Sequence, residues 1–77
     1  MERKMVDVVL HINEETSQED RDAIRDRLLG LTGVMAAAYH DDKPHLFIVE
    51  FDPDTISATA LMGAVTDYGL HAQVVSM

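Results

Sequence analysis

Val34-Met35-Ala36-Ala37-Ala38-Tyr39-His40-Asp41-Asp42-Lys43-Pro44-His45-Leu46-Phe47-Ile48-Val49-Glu50-Phe51 is the stretch on which the architecture turns. The segment 34–40 is ambiguous alone, because its alanines favour helix. It nevertheless lies between Gly33 and Asp41-Asp42-Lys43-Pro44, a stop and a clear turn, so it reads as a strand. His45 to Phe51 is rich in β-branched and aromatic residues, and the two segments pair as a hairpin. Asp52-Pro53-Asp54 ends it.

On the N-terminal side of the hairpin, Val6, Val8, Leu10 and Ile12 alternate with Asp7, Val9 and His11, the period-2 pattern of a strand with one buried face. Thr16-Ser17-Gln18-Glu19 fits a capping box, with Thr16 accepting from the amide of Glu19 and Glu19 reaching back. The helix that follows turns Ala23, Ile24, Leu28 and Leu31 inward and leaves Arg21, Asp22, Arg25 and Asp26 wet, with Asp22 and Arg25 placed to pair. Gly30 to Gly33 stops it. On the C-terminal side, Ser57 caps a second helix whose inward stripe is Ala58, Leu61, Met62 and Val65, and Gly69 takes the left-handed C-terminal position. Leu70, Ala72 and Val74 alternate through a last strand. Strand, helix, strand, strand, helix, strand is the split βαβ order. The fold class is α+β: a ferredoxin-like βαββαβ sandwich, a four-stranded antiparallel sheet in the order 4-1-3-2 with two helices on one face.

At 77 residues the chain reads as one domain, 1–77, with a small core. Its 14 acidic and 6 basic residues give a net charge of −8, which repels phosphate backbones and anionic lipid and argues against nucleic acid or membrane as partner. No apolar run approaches the roughly 20 residues of a membrane span, and the apolar stretch after Lys4 is cut by Asp7 and by Asn13-Glu14-Glu15, unlike a signal peptide. The expected location is cytoplasmic. The absence of cysteine removes disulfides, thiolate metal sites and cysteine nucleophiles.

Leu28-x-x-Leu31-x-Gly33-Val34, Val49-x-Phe51-Asp52-Pro53, then Ser57, Leu61, Val65, Gly69 and Ala72 resemble the successive landmarks of the heavy-metal-associated domain of copper chaperones, mercury-binding proteins and metal-pumping ATPases. The likeness covers nearly the whole chain. By this resemblance the family's Met-Thr-Cys-x-x-Cys metal loop falls on Glu15-Thr16-Ser17-Gln18-Glu19-Asp20, with Ser17 and Asp20 at the thiol positions. A hydroxyl and a carboxylate cannot replace thiolates for a soft ion such as copper(I).

What remains for a metal is hard or borderline. Ser17, Asp20, Glu15 and Glu19 make an acidic group at the metal-loop position, although the same residue types are what a helix N-terminus uses for capping and dipole complementarity. His40 and His45 flank the hairpin turn with Asp41 and Asp42 between them, a set suited to zinc, nickel or copper(II), but hairpin ends carry polar residues simply because they are wet. His11 and His71 are expected on neighbouring strands, as exposed surface histidines. The open sheet face carries Val9, Leu46, Ile48, Val75, Ala36 and Ala38, an apolar set unusual for a face meant only for water, flanked by Asp7, Glu50 and Gln73.

Catalysis is disfavoured: no serine sits in a glycine-framed elbow, and there is no phosphate-binding glycine loop. The sequence therefore points to a non-catalytic module without a resident cofactor, using the open face for a protein partner or a homodimer. The alternative is an atypical metal-binding domain that takes a divalent ion on carboxylates or histidines. A small-ligand regulatory domain rests on fold analogy alone.

Overall fold

A computed structural model describes residues 4–76. The elements are β1 (Val6–Ile12), α1 (Gln18–Leu29), β2 (Val34–His40), β3 (Lys43–Phe51), α2 (Ala58–Asp67) and β4 (Ala72–Ser76). The sheet order is β2-β3-β1-β4, which is the expected 4-1-3-2 read from the other edge, and every neighbouring pair is antiparallel.

Alternation along the strands sends Val8, Leu10, Ile12, Phe47, Val49 and Phe51 to one face, where Ile24 and Leu28 of α1 and Leu61 and Val65 of α2 meet them. Each of these ten side chains is at most 1% exposed. Both helices reach the core through an i, i+4 pair, so a single turn of each fixes its position on the sheet. Burying such a side chain contributes about 1.5–3 kcal/mol, against which the ordering of the chain must be set.

Glycine chemistry closes the connections as expected. Gly69 has φ 102° and follows Tyr68, the C-cap of α2. Its amide donates to the Thr66 carbonyl at 2.9 Å, and that of Leu70 to Val65 at 3.2 Å, the paired bonds of a Schellman end. Gly33 has φ 100°, and its carbonyl accepts from the Asp52 amide at 2.8 Å, joining the entry of β2 to the exit of β3.

Three local expectations change. The N-cap of α1 is Ser17 and its box partner Asp20, not Thr16 and Glu19. β3 begins at Lys43, so the turn shrinks to Asp41-Asp42, because Pro44 at a partly buried position needs no amide donor to sit in the strand. β4 begins at Ala72 rather than Leu70, since Leu70 belongs to the closing bonds of α2.

Candidate functional site

The connection from β1 to α1, which the resemblance sets at the metal-loop position, closes its helix start on its own groups. The Asp20 amide donates to Ser17 Oγ at 3.1 Å and the Ser17 amide donates to Asp20 Oδ2 at 3.2 Å, a reciprocal box. The other carboxylate oxygen of Asp20 accepts from the Tyr68 hydroxyl at 3.0 Å, which ties the start of α1 to the end of α2. The Ser17 amide and the Tyr68 hydroxyl hold the Asp20 carboxyl below its usual range, and the same carboxylate pushes the Tyr68 phenol up. Glu15 and Glu19 are exposed and take no part in this box. A soft ion does not fit here: neither position offers sulfur, and both are engaged with backbone and phenol.

Arg21 departs most from the sequence reading. Its side chain is 11% exposed rather than on the wet face. Nη1 donates to the Thr16 carbonyl at 2.7 Å and to Thr16 Oγ1 at 3.2 Å, and Nη2 lies 4.0 Å from Asp41. The guanidinium also stacks over the Tyr39 ring, 5.4 Å from its centroid. Helical periodicity does not separate Arg21 from Arg25, which pairs with Asp22 at 3.5 Å as expected. The available signal was Thr16: left outside the box, it needs a donor five residues on.

Through Arg21 and Asp41 the hairpin tip comes to rest beside the loop. Glu15, Thr16, Arg21, Asp41, Pro44 and His45 line one cleft of about 220 Å³. His40 lines a separate cleft of about 290 Å³ on the open face with Val9, Leu46 and Ile48, so His40 and His45 do not share a cleft.

The histidine pairing also differs from expectation. His11 lies opposite Gln73, not His71, in the β1–β4 register. Its ring instead stacks on that of His45, with centroids 5.4 Å apart and planes 15° from parallel. His45 Nδ1 is 2.6 Å from the Ile12 carbonyl, and His11 Nδ1 is 3.4 Å from Asn13 Oδ1. His71 turns to Glu14, its Nδ1 2.5 Å from Oε2 and its amide donating to Oε1 at 2.8 Å. Those two bonds lower the Glu14 carboxyl. Spacing alone missed the His11–His45 stack because neighbouring strands present these residues to opposite faces, and only the strand end lets the rings lean together. Among the described residues, no three His, Asp or Glu side chains already converge as a metal-holding group.

The face of the sheet away from the helices keeps its apolar set. Ile48 is 43% exposed and Val75 53%, with Val9 and Leu46 half-buried between them. Met35, 66% exposed, lies apart from this patch, beside Gly33 and Thr55. Asp7 and Glu50 face each other directly across β1 and β3, and like charges so placed disfavour the sheet.

The sequence matches no family model and no curated protein. Solved structures do match. Oxidized MerP from Ralstonia metallidurans CH34 superposes with a TM-score of 0.86 at 19% identity, covering 95% of this chain and 100% of that one. The N-terminal domain of a potential copper-translocating P-type ATPase from Bacillus subtilis, in its Cu(I)-loaded state, gives 0.86 at 22% identity, covering 95% and 90%. The yeast copper transporter domain CCC2A gives 0.80 at 19% identity, covering 90% and 93%. The chain has the fold of the heavy-metal-associated domains, as the resemblance implied, and it lacks the Cys-x-x-Cys pair. No helix among the described residues is long and apolar enough to cross a membrane.

Proposed function

We propose that this chain is a non-catalytic, cytoplasmic module that keeps the heavy-metal-associated scaffold and uses its bare sheet face to bind protein. The observation that carries the reading is the exposure of Ile48 and Val75 beside Val9 and Leu46, apolar area that the fold does not use. Asp7 and Glu50, set side by side at the end of that patch, fit a partner whose apolar surface is rimmed by lysine or arginine. A second copy of the chain fits less well, because each copy carries −8.

Analytical ultracentrifugation across protein concentration, with and without Ile48→Lys, tests this together with capture of a purified basic candidate partner. A monomer at all concentrations that binds the partner, and loses it on Ile48→Lys, is expected. Partner binding that survives Ile48→Lys rejects the face. Self-association abolished by Ile48→Lys keeps the face and replaces the partner by a second copy.

The alternative reading, a divalent ion such as zinc, nickel or copper(II) on carboxylates or histidines, draws its support from the histidine geometry. The Ser17–Asp20 position supports it less, because both groups already serve the helix cap.

A further inference from the structure

Three of the four histidines gather at the sheet end beside the vacated loop, and each is tethered in the same way. His45 Nδ1 meets a backbone carbonyl, His71 Nδ1 a carboxylate and His11 Nδ1 a side-chain amide oxygen. The Ile12 carbonyl and the Asn13 amide oxygen accept and have no proton to give. On His11 and His45 an Nδ1–H facing these acceptors leaves Nε2 as the position open to a ligand. A ring fixed through Nδ1–H to a carbonyl or carboxylate, with Nε2 free, is how histidines that ligate metals are usually held. His40 has no such tether.

We propose that His11 and His45 form a binding site for a borderline divalent cation, zinc, nickel or copper(II), through their Nε2 atoms. The inference deepens the alternative metal reading and leaves the open-face reading untouched. The two rings already lie 15° from parallel with centroids 5.4 Å apart. Metal–nitrogen bonds of about 2.0–2.1 Å require both Nε2 lone pairs to aim at one point, so binding turns the rings out of their parallel stack. Both residues are half-buried rather than sealed in the core. Glu14, Glu15 and Asp41 surround this end and outweigh the single guanidinium of Arg21, which Thr16 and Asp41 already hold. The remaining coordination positions go to water. Two imidazoles with water favour a borderline ion over a soft one, a different preference from that of a thiolate pair.

The test is a titration of the 77-residue chain with zinc sulfate, then nickel and copper(II), read by amide and ring-nitrogen NMR. One ion per chain, bound tighter than about 10 µM and reversed by EDTA, is expected. In the unsubstituted protein the Nε2 resonances of His11 and His45 move and their Nδ1 protons stay, a readout that needs no variant. His11→Ala and His45→Gln each weaken binding about tenfold or more, while His40→Ala leaves it within about twofold. Saturable binding that instead maps to Ser17–Asp20, or is lost in His40→Ala, overturns the assignment to this pair but keeps a metal role. Only non-saturating shifts up to millimolar ion, spread over the carboxylates, overturn both.

Discussion

The two faces of the sheet are made by the same alternating strands yet are finished differently. Under the helices, Phe47, Val49 and Phe51 and their partners are sealed to 1% exposure or less, and nearly every polar group at the margin has a named partner. On the bare face, Ile48 sits next to Phe47 in sequence and is 43% exposed, and two carboxylates confront each other across strands. The difference separates what the fold requires from what it merely carries. Residues on the covered face answer to stability, and those on the bare face are open to selection for contact with something else.

Substitutions should widen this contrast. Phe47→Ala removes a sealed aromatic and is expected to cost about 3–5 kcal/mol, comparable to the whole stability of a domain this size, whereas Ile48→Ala should stay within about 0.5 kcal/mol. Urea denaturation midpoints of the two variants check the pair. Gly33→Ala comes next: its φ is 100°, and a new Cβ would stand 2.9 Å from the Thr55 methyl. A loss of about 2–4 kcal/mol is expected, against about 1–2 kcal/mol for Gly69→Ala, where φ is 102° and the space is open. Thermal melts that rank the two glycines the other way would break the steric account.

Ser17→Ala should cost about 1 kcal/mol and more than Ser57→Ala, because Ser17 shares a reciprocal box while Ser57 accepts a single bond, from Ala60 at 3.2 Å. A smaller effect is set by pH. The folded Asp20 carboxyl lies below its unfolded value, so its contribution is complete above pH ~4 and fades as pH falls through the lowered value. The Tyr68 phenol lies above its unfolded value, so its share is complete below pH ~10 and fades as pH rises further. Asp20→Asn should flatten the acid limb of the stability profile measured by chemical denaturation. Ile48→Lys is expected to have the least effect on stability, within about 0.5 kcal/mol, while removing whatever complex the bare face makes.

Much of the covered face was legible in the sequence. The period-2 run from Val6 to Ile12, the two glycine stops and Ser57 gave the elements and their order, because these are local signals with one physical reading each. The loop was read one residue out of frame. Thr16-x-x-Glu19 and Ser17-x-x-Asp20 both satisfy the capping rule, and the choice was made by tertiary partners, Tyr68 for Asp20 and Arg21 for Thr16. His11 lies on the expected strand but His71 precedes β4, and His11 stacks on His45 instead, since strand register says which backbones face each other and not how rings lean at a strand end. The apolar open face was visible from alternation alone; its use was not, because nothing within one chain encodes the shape of a partner.

The Arg21 guanidinium, folded under Thr16 and over Tyr39, has a consequence for time as well as for shape. A loop organised by an ion can lose that order when the ion leaves. This one is ordered by its own helix and hairpin, so its amides at Ser17, Asp20 and Arg21 should exchange with solvent only when α1 itself opens. The order of this loop is set once, at folding.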